Sequence, residues 1–184
     1  MTEPTGRTQS RRWSRLIAVL AIQLLILALI PAKKVRALAS GRTVILETVP
    51  VDPYDPLSGY YVTLAYAVEG AASEATRDDP TPTGDRVGFI LVSRSEPAWT
   101  YVGVDSQPTD RSDLVAIAAR AEGGRWVIDG IGRFYVPETD RDRIEAALSR
   151  GGRRALVELR VGDDGTPAIK SLKAGGEVFG HAEE

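Results

Sequence analysis

Fifteen consecutive residues, Leu16 to Ile30 (LIAVLAIQLLILALI), carry no charge and a single polar side chain, Gln23. A run that is apolar on every side is no amphipathic surface helix, which needs a polar face. Counted with Trp13 before it and Ala32 after it, the segment reaches the lower limit for crossing a bilayer, roughly 17 residues. Arg11, Arg12 and Arg15 flank one end, and Lys33, Lys34 and Arg36 the other. Such long side chains snorkel and so extend a short span. The chain then divides into a basic cytoplasmic tail over 1–15, a transmembrane anchor over 16–32 and a linker over 33–41. One β-rich domain over 42–176 and a tail over 177–184 follow.

Two other readings of the apolar segment are open. Ala37-Leu38-Ala39 has the A-x-A form of a signal-peptide cleavage site, although three basic residues stand between it and the apolar run. Ser10-Arg11-Arg12 suggests a twin-arginine signal, but Trp13-Ser14-Arg15 fits that signal poorly. A permanent single-pass anchor fits best. Its orientation is weakly encoded, because Arg7, Arg11, Arg12 and Arg15 balance Lys33, Lys34, Arg36 and Arg42 under the positive-inside rule. A short first tail retained in the cytoplasm places the β domain outside.

Several chemistries are disfavoured by composition. The 23 basic and 25 acidic residues are interspersed, leaving no nucleic-acid footprint. Cysteine is absent, which removes disulfides, thiolate metal sites and thiol nucleophiles. The only histidine, His181, lies in the Gly-rich C-terminal tail. No cofactor or metal is implied: Arg77-Asp78-Asp79 and Gly162-Asp163-Asp164-Gly165 lack the alternating ligand spacing of a calcium loop. A Ser-Lys dyad needs neither His nor Cys, yet no motif joins Ser58, Ser93 or Ser95 to Lys170 or Lys173. No catalytic constellation is present, and an enzyme is not expected.

Hydrophobic patterning predicts many short strands. Arg42–Val51 opens the domain, and Asp52–Gly59 (DPYDPLSG) is a turn. In Tyr60–Val68 the even positions Tyr60, Val62, Leu64, Tyr66 and Val68 share one face, the core face, while Tyr61 points the other way. Gly70–Asp85 reads as a polar surface loop. Strands are expected at Arg86–Ser93, Trp99–Asp105, Leu114–Ala121, Trp126–Ile128 and Ile131–Pro137. Arg154–Val161 and Ala168–Leu172 form a closing hairpin across GDDG. The one good soluble helix is Thr139–Arg150, with Ile144, Ala147 and Leu148 on one face and Gly151-Gly152 as its stop. The expected class is mainly β, a sandwich or partly closed barrel with one short α-helix, plus the N-terminal transmembrane helix.

Pro50–Tyr66 (PVDPYDPLSGYYVTLAY) and Ile131–Glu138 (IGRFYVPE) resemble the two landmarks of the GDYXXLXY family of bacterial membrane-anchored proteins. Gly59, Tyr61, Leu64 and Tyr66 occupy motif positions. The motif's Asp is replaced by Tyr60, and Ser58 stands where the family commonly has Arg. The loss of both is expected of a pair that satisfied each other's charge, since removing one alone strands a charge. The resemblance implies a tethered accessory protein acting beside other membrane proteins, with no established biochemical activity.

Tyr61, Arg133 and Tyr135 are the candidate binding surface. Arg133 and Tyr135 alternate onto one side of their strand, suited to an anion or a partner peptide, or to a local carboxylate such as Glu138. Two functions follow: an interaction module for a membrane-protein partner, or an envelope small-ligand-binding protein or hydrolase using the aromatic strand face.

Overall fold

Helix α1 spans Gly6–Ser40, about 52 Å of continuous helix. The computed structural model of the chain describes residues 6–49, 61–77, 86–135, 140–150 and 154–180. From Leu16 to Ile30 every α1 side chain is exposed, and the helix is long and apolar enough to cross a membrane. Pro31 lies inside it and has no N–H to offer the Leu27 carbonyl.

The stretch 33–41, expected as a linker, is helical through Ser40, because its last turns are held by the domain. Ala37 is 1% exposed. Lys34 Nζ donates to the Gly130 carbonyl at 3.1 Å, and Lys33 pairs with Asp164 at 3.5 Å. The Gly41 N–H closes the helix on the Ala37 carbonyl at 2.8 Å. A Cβ on Gly41 would meet that same carbonyl and lie 2.8 Å from the Val161 carbonyl oxygen. Only glycine lets helix and sheet approach this closely.

One antiparallel sheet contains β1 (Arg42–Val49), β3 (Ala65–Tyr66), β9 (Ala155–Val161), β10 (Pro167–Ala174) and β11 (Glu177–Gly180), in the order β11-β10-β9-β1-β3. A second contains β4 (Arg86–Ser93), β5 (Thr100–Asp105), β6 (Leu114–Glu122) and β7 (Arg125–Ile128), in the order β5-β4-β6-β7. The Trp99 N–H donates to the Ile45 carbonyl at 2.7 Å and the Ala118 N–H to Gly165 at 2.9 Å, joining the two. Alternate residues of both face one core, with Val44, Leu46, Val157 and Leu159 from the first and Ile90, Val92, Ile117 and Ile128 from the second. The result is mainly β, curled into a half-barrel. A two-stranded ribbon, β2 (Tyr61–Thr63) and β8 (Arg133–Tyr135), stands beside them.

The strands expected over Arg86–Ser93, Trp99–Asp105 and Leu114–Ala121 are found with ends shifted by at most one residue. The closing hairpin pairs β9 with β10. Helix α3 (Arg141–Arg150) buries Ile144 and Ala147 and half-buries Leu148, the face expected of it. The turn over Asp52–Gly59, the helix stop at Gly151-Gly152, and Pro137, Glu138 and His181 lie outside the described residues.

Two further stretches differ from expectation. Tyr60–Val68 is not one strand: its described part breaks at Leu64, changes sheets and becomes helix α2 (Ala67–Ala75). Most of α2 lies in the expected loop over Gly70–Asp85, whose residues 78–85 are outside the described set. Ala67, Ala71, Ala72 and Ala75 are strong helix formers, and Val68 and Ala72 are buried. The opposite need, polar closure of an edge strand, is met by Glu69, Ser73 and Thr76, which share a face at helical spacing. Glu69 Oε1 accepts from the Ile128 N–H at 2.7 Å, and Ser73 Oγ from the Trp126 N–H at 2.8 Å. Thr76 Oγ1 accepts from the Trp126 indole N–H at 3.0 Å.

The second difference is at the C-terminus, where Glu177–Gly180, expected as tail, forms β11 and buries Phe179. Gly175 and Gly176, at φ 55° and 88°, join the paired residues Ala174 and Glu177. Two positive φ values make the primed turn that matches strand twist. Gly123 and Gly124, at 55° and 80°, do the same between Glu122 and Arg125.

Gly41→Ala is expected to cost about 1–3 kcal/mol by overpacking and to speed proteolysis at the helix–domain junction, read by thermal unfolding and limited proteolysis. Ser73→Ala strands the Trp126 N–H and is expected to cost about 1–3 kcal/mol in denaturant unfolding. An unchanged midpoint would show that α2 does not secure β7.

Candidate functional site

Tyr61 of β2 lies opposite Tyr135 of β8, Val62 opposite Phe134 and Thr63 opposite Arg133. The next pair is anchored by the Leu64 N–H, which donates to the Gly132 carbonyl at 2.9 Å. Hydrogen-bonded and non-hydrogen-bonded pairs alternate in an antiparallel ladder. Leu64–Gly132 is bonded, so Val62–Phe134 is bonded, whereas Tyr61–Tyr135 and Thr63–Arg133 are not. Non-bonded pairs bring side chains closest. The Tyr61 and Tyr135 rings accordingly meet with centroids 5.8 Å apart, tilted by 58°. The Arg133 guanidinium, diagonal to Tyr61, lies 4.9 Å from the Tyr61 ring centroid.

The ribbon therefore has two faces. Val62 and Phe134 pack on the core, and Tyr61, Thr63, Arg133 and Tyr135 form the outer face. Tyr61 is half-buried, Arg133 and Thr63 are exposed, and Tyr135 is 70% exposed. No described carboxylate pairs with Arg133, and Glu138, its candidate partner in the sequence, is outside the described residues. At an exposed site a cation over an aromatic ring is stabilised by roughly 0.5–1 kcal/mol, while its outward N–H groups stay available for an anion.

Beneath this face lie the buried residues of the same segment. Leu64 and Tyr66 are in the core, and the Tyr66 hydroxyl donates to the Ile131 carbonyl at 2.9 Å. The Tyr66 N–H donates to Glu69 Oε2 at 2.9 Å, so one carboxylate joins the start of α2 to the edge of β7. Burial pushes the Tyr66 hydroxyl far above its ordinary range, and the Glu69 charge adds to the shift. Burial also raises Glu69, against the lowering effect of the Ile128 and Tyr66 N–H bonds.

The structure thus brings together Tyr61, Arg133 and Tyr135, named from two stretches distant in sequence, and separates them from Leu64 and Tyr66, which fill the core. Gly59, Tyr60 and Ser58 lie outside the described residues. Thr63 was not singled out by sequence, although its parity with Tyr61 was a signal. Glu69 was missed because Tyr66-Ala67-Val68-Glu69 carries the glutamate of a capping box without a Ser or Thr ahead of it. Among the described residues no group of acids or histidine is placed to hold a metal ion.

Fold and ribbon together define a class, a half-barrel β domain mounted on a long apolar N-terminal helix. A family profile described as GDYXXLXY protein matches residues 23–172, and the chain belongs to that family. Comparison with curated proteins and with solved structures returned no match. Tyr61–Thr63 and Arg133–Tyr135, from the two stretches in which the resemblance was read, are the two strands of one ribbon.

Tyr66→Phe leaves the buried Ile131 carbonyl without its donor and is expected to cost about 1–3 kcal/mol in denaturant unfolding and to shift the Tyr61 and Tyr135 ring resonances in NMR. For pH, the raised Glu69 value means that the folded state holds that proton more tightly than the unfolded chain. Its contribution to stability therefore falls as pH rises through the interval above the ordinary glutamate range. The stability of wild type minus that of Glu69→Gln is expected to shrink across that interval in denaturant titrations. Asp113 beside Arg111 and Glu177 beside Arg150 are held low and act with opposite sign at lower pH. They occur in both proteins and cancel in the difference.

Proposed function

We propose that this protein is a membrane-anchored, non-catalytic interaction module whose outer ribbon face binds a membrane-protein partner. The observation that carries the reading is the Tyr61–Arg133–Tyr135 cluster, with Arg133 and Tyr135 exposed, Tyr61 half-buried and no described carboxylate paired with the arginine. Aromatic rings beside arginine are the composition of binding hot spots. The cluster lies on the open face of one ribbon rather than converging from several elements, which favours a protein surface over an enclosed small ligand.

The apolar α1 supports single-pass insertion, and its docked end supports a domain held close to the bilayer at a fixed angle. A cytoplasmic N-terminus and an extracytoplasmic β domain complete the reading. Cysteine accessibility on either side of the membrane, from single cysteines at exposed positions in this cysteine-free chain, reads the orientation directly.

Affinity capture of the full-length protein from its native membrane, with crosslinking at native expression, is expected to recover a stoichiometric integral membrane partner. Tyr61→Ala is expected to lose most of it while retaining the thermal transition. An empty capture would overturn the interaction reading and return weight to ligand binding or hydrolysis.

A further inference from the structure

The outer edge of β8 carries a feature separate from its side chains. Because Tyr61–Tyr135 and Thr63–Arg133 are non-bonded pairs, the N–H and C=O groups of Arg133 and Tyr135 point away from β2. No strand lies on that side among the described residues. A row of outward peptide groups beside an exposed cation and two tyrosines is a template for an added strand bearing an anion.

Position narrows the source of that strand. Lys34, four residues beyond Ile30, bonds the Gly130 carbonyl, and Arg133 follows Gly130 by three residues. Helix rise, lysine reach and extended chain length place the Arg133 backbone within roughly 25 Å of the end of the apolar run. About eight extended residues leaving the bilayer from a neighbouring protein cover that distance. The charge near this end is positive: Lys34 bonds only a carbonyl, and Arg36 and Arg133 have no ion pair with a described residue.

Resting on the interaction reading above, we infer that β8 binds an extended, acidic juxtamembrane segment of an integral membrane partner as an added antiparallel or parallel strand, with an Asp or Glu of that segment on Arg133 at the outer face. Anionic lipid headgroups share the charge but have no peptide groups to pair with the β8 edge, so the strand geometry favours the protein segment.

The test places a benzophenone amino acid at Thr63, and separately at Tyr135, in the full-length protein in its native membrane. Photoadducts are mapped by mass spectrometry. Both positions are expected to label one segment within about ten residues of a partner's transmembrane helix, containing Asp or Glu. Arg133→Gln and Arg133→Glu are expected to reduce adduct yield from Thr63 at least tenfold with the thermal transition retained. A synthetic peptide of the mapped segment is expected to compete for labelling, and its copy N-methylated at alternate amides to compete at least tenfold less well.

Adducts to lipid alone, a mapped segment without acids, or equal competition by the N-methylated peptide would overturn the inference. Absence of adducts at both positions while affinity capture still recovers a partner would overturn this site and leave the interaction module standing. Absence of both adducts and partner would overturn the two together.

Discussion

The hydrogen bond from the buried Tyr66 hydroxyl to the Ile131 carbonyl, 2.9 Å long, ties together parts of the chain that sequence separates by 65 positions. Tyr66 pairs with Thr48 in the five-stranded sheet, and its N–H holds Glu69 at the start of α2. Glu69 in turn accepts from Ile128 at the edge of the four-stranded sheet. Tyr66 and the Glu69 carboxylate therefore set the spacing of β1, α2, β7 and the approach to β8. An unpaired buried carbonyl or N–H here is costly, so the ribbon stands where these bonds put it. The outer face of Tyr61, Arg133 and Tyr135 depends on atoms that never reach the surface.

A second constraint is the junction of α1 with the domain. A flexible linker would decouple the apolar helix from the sheets. Here the helix continues to Ser40, Ala37 is buried, and Gly41 lets the backbone turn directly into β1 against Val161. Lys33 and Lys34, which by sequence served only to flank an apolar span, also reach the domain through Asp164 and Gly130. The exposed ion pair adds little by itself, but Ala37 and Gly41 fix the angle by packing. A domain mounted in this way presents the same surface at the same height above the helix end.

Much of the architecture was legible. The alternation in Arg86–Ser93 or Ala155–Val161 is the direct imprint of a sheet with one buried face. The apolar face of α3 could be read as Ile144, Ala147 and Leu148 because helical periodicity needs no partner to be visible. Alternation in Tyr60–Val68 also marked Leu64, Tyr66 and Val68 correctly as buried, yet misled on conformation past Tyr66. Val68 fits a strand face and a helix face equally well, and Glu69, Ser73 and Thr76 make sense only beside the edge of β7. Gly175-Gly176 carried the same turn signal as Gly123-Gly124, but the four residues after it are too few to declare a strand without β10 to pair with.

The sequence by itself determined the long apolar helix, the mainly β class, the lack of thiol chemistry and the parity that sets Tyr61, Arg133 and Tyr135 off from the core. Those properties are local, written in composition and in periods of two or 3.6 residues. Only the tertiary structure decided that β2 and β8 are partners, that their non-bonded register brings the two rings and the guanidinium into contact, and that α2 rather than a loop closes β7. Register across 70 residues is a property of the packed chain: it follows from which buried groups find hydrogen-bond partners, and no segment carries that information alone.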